Sequence, residues 1–451
     1  LTGEALGLFF LGTLLPEFKA AKRWRHLGAD ILVEQLPIHV QRDGVYFEQS
    51  SYYHRYTTDF YLQFVLLAGS NNFSLPAQVE QNLVLLLDHL MYITRPDGTT
   101  PLFGDDDGGR LTPLDVRAAN DFRGSLAVGA VLFNREDYRF VAGDAAEQVL
   151  WLTGVEGLTM FEAIAPKQPE KTSVAFYDGG YSVMRDGWNR DSNYLLFDSG
   201  PHGSLACGHA HADALSIDVA ANGRTVLVDP GTYTYTGSKE LRDWFRSSHA
   251  HNTVTIDGES SSVPNGPFSW KTIAGCSLER WVTEDRFDFV SAQHDGFMRL
   301  PDPVMVKREI LFLKHDYWII RDTITSVQEH QVDVRFHLDS GLPIEPGIDI
   351  QCFGSDRRVE EKTLVSHCYG QKEAASALGF TATMKGGGDL ITFLLPQKPG
   401  TGWKAKEIEA KNGRAFEVAG ANSLDVVIIP PSGAWVWTRS IDGHVRETVS
   451  T

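Results

Sequence analysis

Between Asp198 and Gly258 the chain reads DSGPHGSLACGHAHADALSIDVAANGRTVLVDPGTYTYTGSKELRDWFRSSHAHNTVTIDG. No other stretch constrains the fold as tightly. It holds five histidines, His202, His209, His211, His249 and His251, together with Asp213, Asp218 and Asp229. In an extended segment His209, His211 and Asp213 fall at i, i+2 and i+4 and share one face. Asn222-Gly223 between two strand-like runs predicts a tight hairpin. That hairpin brings Asp229 back towards the His-x-His end. A further strand-like run, HNTVTID, starts at His251. Two imidazoles and a carboxylate from neighbouring strand ends suit one divalent metal of the zinc type, with Mn2+ or Ca2+ as alternatives. The plainer reading gives these histidines only hydrogen bonds at a sheet edge. On strand geometry alone both His209 and His211 would face the metal.

Three pieces of this stretch, GHAHADALS, LVDPGTYTYTG and FRSSHAHNTV, carry a resemblance. In order and chemistry they resemble the C-terminal domain of the heparinase II/III-like polysaccharide lyases, which include heparin, heparan and alginate lyases. The resemblance implies that His211, Asp229 and His251 hold a mainly structural metal while His209 faces the substrate. His249 departs from the pattern and competes with His251, which is preferred because it directly precedes the NTV strand.

A chain of 451 residues can build two or three domains. A net charge of −17 argues against nucleic acid and anionic membranes as general partners. It also means that a polyanion can bind only where basic and neutral donors gather in one cleft. The four cysteines have no CxxC spacing and leave disulfides open. The opening segment LTGEALGLFFLGTLLPEF lacks a basic n-region and a cleavage site, so it does not read as a signal peptide. Its apolar run is too interrupted to span a bilayer. It reads as a helix entered partway, which suggests a processed chain or a fragment. The family resemblance implies a periplasmic or secreted bacterial protein, with the cytoplasm as the alternative. Oligomeric state is left open.

The periodicity from residue 1 to 164 is helical, with stripes such as Tyr53, Tyr56, Phe60, Phe64 and Leu67. Gly and Pro punctuate long helices joined by short loops. Residues 165–173, APKQPEKTS, read as a linker, and 174–451 as closely spaced antiparallel strands. The fold class is therefore α+β and multidomain, with helical hairpins followed by an antiparallel β-sandwich. The resemblance adds that the helical part is an incomplete (α/α) toroid.

In DGVYFEQSSYYHRY the resemblance makes Tyr53 the catalytic tyrosine, with His54 beside it and Glu48 ahead of it. On periodicity alone Tyr53 would be a core residue. Glu48, Tyr235 and Arg246 are the candidates for substrate binding. A uronate lyase removes the proton next to the carboxylate and expels the glycosidic oxygen. It needs donors that mask the carboxylate charge, a base and an acid. Tyrosine can serve as both, but its reference pKa of about 10 requires neighbours that favour phenolate. His209 and His54 are the candidates. The family's Asn-His or Glu/His element would lie ahead of Leu1. The acidic loop PLFGDDDGGR reads as solvated, with cleft lining or calcium binding as alternatives. Arg242, like Arg246, could meet substrate anions. The leading function is β-elimination on an anionic uronate polysaccharide such as heparan sulfate, chondroitin or hyaluronan. Alginate lyase of the same fold, a metal-dependent hydrolase with Asp213 as base, and a non-catalytic carbohydrate binder are the alternatives.

Overall fold

The computed structural model describes residues 1–111, 113–343, 347–397 and 402–451. Helices occupy the first part of the chain: α1 (Thr2–Leu14), α2 (Ala21–His39), α3 (Ser51–Ser70), α4 (Ala77–Ile93), α5 (Arg123–Phe133), α6 (Glu136–Ala142) and α7 (Glu147–Ala163). Two glycines set the closest packing. A Cβ on Gly12 would lie 2.4 Å from the Ala21 carbonyl oxygen, and one on Gly28 would lie 2.4 Å from that of Ala5. The backbones of α1 and α2 therefore touch where no larger residue fits. No described helix is long and apolar enough to cross a membrane.

The helix that matters most for function is α3. Its N-cap is Ser50, whose Oγ accepts the Tyr53 amide at 3.1 Å and donates to the Asp105 carbonyl at 2.6 Å. One side chain thus fixes both the start of the helix and the loop that carries Asp105. Loss of such a cap costs about 1 kcal/mol.

No helix or strand spans residues 164–173. Next comes a five-stranded antiparallel meander: β1 (Val174–Phe176), β2 (Tyr181–Arg185), β3 (Tyr194–Asp198), β4 (Ile217–Ala221) and β5 (Arg224–Leu227). Asn222 and Gly223 both have positive φ, 52° and 77°, which gives β4 and β5 the turn that Asn-Gly favours. β2 and β3 are buried at every position rather than alternately. The reason is that both faces of this sheet are covered. Tyr181, Val183 and Tyr194 pack into the helical core, while Met184, Leu195 and Phe197 pack into the core of the sheets.

That second core joins the meander to a six-stranded sheet and a four-stranded sheet, all antiparallel. The four-stranded sheet includes β6 (Val254–Ile256), the continuation of the His251 segment. The outer face of the six-stranded sheet packs Phe289, Leu311 and Phe393 against Phe416, Trp435 and Trp437 of a final five-stranded meander. The molecule is thus an α+β assembly with helices first and antiparallel sheets second.

One local expectation fails here. Residues 208–216 do not form a strand but a run of turns, with Leu215 at a φ of 61°. The i, i+2 rule therefore does not govern where His209, His211 and Asp213 point.

Candidate active site and metal centre

His211, Asp213, Asp229 and His251 each turn one potential ligand atom to a common point, and these atoms all lie within 4.8 Å of one another. Both histidines are fully buried. His211 Nδ1 and His251 Nε2 lie 3.2 Å apart, and Asp229 Oδ2 lies 3.4 Å from His251 Nε2. The outer nitrogens settle the tautomers. His251 Nδ1 donates to the Ser247 carbonyl at 2.7 Å, and His211 Nε2 faces Asp105 Oδ1 at 3.1 Å. Each ring therefore spends its proton outwards and turns a lone pair inwards, the arrangement that outer partners impose on metal-ligating histidines. Burial lowers the pKa of both imidazoles, which keeps them neutral. Burial raises Asp213 and Asp229, and Asp198 adds to this at both. Two lone pairs facing each other beside two half-buried carboxylates make a donor set that fits a divalent metal.

Sequence reasoning placed His211, Asp229 and His251 here, and the structure adds Asp213. His249 turns away and donates to the Gly258 carbonyl at 2.9 Å.

Asp105 connects this cluster to the cleft. It is fully buried, which corrects the expectation of a solvated acidic loop. Its Oδ2 lies 3.2 Å from His209 Nδ1 and accepts from Arg242 Nη2 at 2.8 Å, while Oδ1 accepts from Arg242 Nη1 and faces His211. Burial opposes its charge, but the hydrogen bonds from His209 and His211 and the Arg242 guanidinium outweigh that and hold its carboxyl far below the usual range. The loop dips inwards at Gly104, whose φ is 68° and where a Cβ would lie 2.4 Å from the Gln49 carbonyl oxygen. Next to it, burial pushes Asp106 up to about 6.

Tyr53 comes from α3 and meets the sheet side directly. Its ring centroid is 4.3 Å from that of His209, and its hydroxyl is 3.0 Å from the Tyr235 hydroxyl. Arg242 lies 4.9 Å over the Tyr235 ring. Burial raises the Tyr53 pKa, the hydrogen bond to Tyr235 opposes the rise, and Asp107 and Asp105 add to it. The resting tyrosine is therefore a phenol. The His209 pKa is also raised: burial opposes its charged form, but the hydrogen bond to Asp105 and the charges of Asp105 and Glu48 outweigh that. Glu48 is half-buried near His209, and burial raises its own pKa.

Two predicted site residues lie elsewhere. His54 is 1% exposed and turns into the helical core. Its Nε2 donates to the Leu86 carbonyl at 2.9 Å, and its Nδ1 accepts the Tyr46 amide at 3.2 Å. Burial lowers it to about 4, so it offers Tyr53 neither charge nor a free proton. Neighbours on a helix are rotated by about 100°, so adjacency to Tyr53 in sequence places His54 on another face. Arg246 is also fully buried. It donates to Asp243, to the Gly266 and Pro267 carbonyls, and stacks 4.8 Å over Trp270. It braces the 266–270 turn instead of reaching a substrate. Arg242, likewise buried, is a positioning residue for His209 through Asp105.

Removal of a bound divalent ion has a defined signature. A protein that holds one equivalent should lose it to a chelator and melt at lower temperature, since a ligand at a thousandfold excess over its Kd stabilises by about 4 kcal/mol. In the metal-free fold the raised Asp213 and Asp229 bind protons that the unfolded chain does not. Acid therefore stabilises that form and competes with metal. The loss on chelation should therefore grow as pH rises above the ordinary carboxylate range. Elemental analysis with paired melting curves checks this, and less than half an equivalent of metal with identical melts would contradict it.

Residues 168–420 match the family described as "Heparinase II/III-like, C-terminal", and residues 1–115 match "Heparinase II/III N-terminus". The chain is 25% identical over 439 residues to a heparin-sulfate lyase of Pedobacter heparinus, covering 92% of this chain and 60% of the relative. It is 26% identical over 367 residues to a heparin-sulfate lyase of Bacteroides thetaiotaomicron, covering 77% of this chain and 47% of that protein. The chain thus spans about half to three-fifths of these relatives. Its fold is like that of a solved heparan sulfate lyase from Pedobacter heparinus, with a TM-score of 0.74 at 22% identity over 96% of this chain and 66% of that one. With matched segments covering both the helical part and most of the sheets, the chain belongs to the heparinase II/III-like family.

Proposed function

We propose that this chain carries the catalytic centre of a polysaccharide lyase that cleaves a heparan-sulfate-type uronate polymer by β-elimination. The observation that carries the reading is the contact between Tyr53 and His209 across the boundary of helices and sheets. The relatives named heparin-sulfate lyases support the substrate class. We further propose that His211, Asp213, Asp229 and His251 hold a divalent ion, zinc being the best fit. When bound, the ion would supply charge that neutralises the two carboxylates and would tie the His-x-His turn to the segments carrying Asp229 and His251.

The reaction removes the proton next to the uronate carboxylate, forms a carbon–carbon double bond and breaks the bond to the glycosidic oxygen. That oxygen leaves with a proton, and no water is consumed. Tyr53 and His209 together move these protons. With both rings fully protonated the pair contains no base. The productive state has one proton fewer, shared between the two rings, and coupled groups of this kind titrate as a pair. In that state one member takes the carbon-bound proton while Tyr53 faces the leaving oxygen. Tyr235 stabilises the oxygen of Tyr53 through its hydroxyl, and Asp105 holds the His209 ring in place.

Loss of that one proton predicts the pH profile. The value of kcat/KM should rise with pH as the Tyr53–His209 pair loses its first proton, then fall as it loses the second. A flat profile across the neutral range would count against the pair. His209→Ala should lower turnover roughly a hundredfold or more, as is common for a lost acid/base group. Steady-state rates on heparan sulfate, chondroitin sulfate, hyaluronan and alginate test both the reaction and the polymer. The reading expects unsaturated product, highest with heparan sulfate. Binding of these polymers without turnover would instead support a carbohydrate-binding role.

A further inference from the structure

Away from Tyr53, a cavity of about 250 Å³ opens where the loop after α4, the start of α5, the end of α6 and the end of β2 meet. Four arginines line it, Arg95, Arg123, Arg185 and Arg190, and no acidic residue does. In a chain of net charge −17 such a lining is out of proportion.

The four arginines are not equivalent. Arg95 is spent, with Nε donating to Asp218 at 2.7 Å and Nη1 to Thr99 at 3.0 Å. Arg123 keeps Nε and Nη2 on Asp121, while its Nη1 has only the exposed Asp144 at 3.9 Å. Its guanidinium sits against Gly98, where a Cβ would lie 2.5 Å from Cζ. Arg190 is exposed, and its side chain has no partner among the described residues.

Arg185 is the unusual one. It is 1% exposed, yet no carboxylate pairs with it among the described residues. Nη2 donates to the carbonyls of Tyr92 and Thr94, the guanidinium lies 4.0 Å over the Trp188 ring, and Nε has no acceptor. Burial lowers its pKa to about 10, with Tyr194, Asp186 and Tyr92 only partly opposing the shift. A buried cation without a counter-ion is costly, and arginine is the residue whose fork suits oxyanions.

We propose that this cavity binds a tetrahedral oxyanion of the sulfate class, with Arg185 as its floor and Arg123 and Arg190 at its sides. Arg185 and Arg190 come from the end of β2 and the loop after it, and Arg123 from the start of α5, so two separate segments supply donors to one anion. Pockets for drug-sized ligands run from about 300 Å³ upwards. This smaller one takes a single sulfate group, either inorganic sulfate or the sulfate of a sulfated sugar, and not a stretch of polymer. The proposal is independent of the lyase reading.

Calorimetric titration of the full chain at constant ionic strength tests it, with sodium sulfate, glucosamine 6-sulfate and glucosamine as probes. The expected result is one sulfate per chain, no binding of glucosamine, and binding weakened roughly tenfold or more by Arg190→Glu and by Arg185→Lys, as expected when a charge-assisted contact or a guanidinium fork is lost. Arg190 is exposed and has no side-chain partner among the described residues, so its variant decides the matter even if Arg185→Lys does not fold. Tighter binding of the sugar sulfate than of the inorganic ion assigns the site to a saccharide, and the reverse assigns it to free sulfate. Equal affinity for wild type and Arg190→Glu, or no sulfate binding at all, overturns the proposal.

Discussion

Tyr53→Phe is expected to abolish turnover of a uronate polymer while leaving the fold in place. The substitution keeps the ring that packs 4.3 Å from His209 and removes only the hydroxyl, which lies 3.0 Å from that of Tyr235. The structural cost is one half-buried hydrogen bond, about 1 kcal/mol. The catalytic cost is far larger, because in the proposed mechanism this hydroxyl protonates the leaving oxygen. Loss of a general acid or base commonly costs on the order of a hundred- to ten-thousand-fold in rate. Tyr235→Phe should be milder, since it removes a partner of the reacting hydroxyl and not the hydroxyl itself. Initial rates with paired melting curves check both. A Tyr53→Phe protein that keeps more than about a tenth of the wild-type rate removes Tyr53 from the mechanism.

The second large effect belongs to Asp105→Asn. This substitution is nearly isosteric, but it leaves the guanidinium of Arg242, 1% exposed, without its counter-charge. Breaking a buried ion pair from one side typically costs about 3–5 kcal/mol. The change also removes the acceptor that orients the Nδ1 of His209 and the Nε2 of His211. Partners of that kind are worth about 10- to 100-fold in metal affinity. Asp105→Asn should therefore lower stability, metal retention and turnover together. Adding Arg242→Met should restore part of the stability and none of the activity, because the stranded charge is gone while His209 stays unanchored. Denaturant unfolding of the two single variants and the double variant gives the coupling. Additive losses would mean that Asp105 and Arg242 do not act as a pair.

How far the site can be read from sequence follows from chain distance. The Asn222-Gly223 hairpin is local chemistry, and its two positive φ angles were legible in two letters. The helical stripe of α3 was legible for the same reason. The family motifs named His211, Asp229 and His251, although strand periodicity gave the wrong reason for their convergence. The 208–216 segment is a run of turns, and the residues meet because turns and the ends of β5 and β6 converge there. Asp105 was missed because its partners, His209, His211 and Arg242, lie 104, 106 and 137 residues away. An Asp-rich, Gly-rich run looks solvated until something distant buries it. The one local hint was the neighbouring Phe103 and Gly104, an apolar residue and a residue able to turn the chain inwards. His54 and Arg246 failed in the opposite direction. Their types suit catalysis, but whether a side chain faces a cleft or a core is decided by packing that no short window records.

The account stands or falls on the product. Incubation of the full-length protein with heparan sulfate in isotopically labelled water, followed by ultraviolet absorbance and mass spectrometry of the fragments, tests it most directly. The account predicts fragments whose new non-reducing end carries a double bond conjugated to the carboxylate, with no label incorporated. Fragments without ultraviolet absorbance that carry one labelled oxygen per cleavage would contradict it and assign the site to hydrolysis.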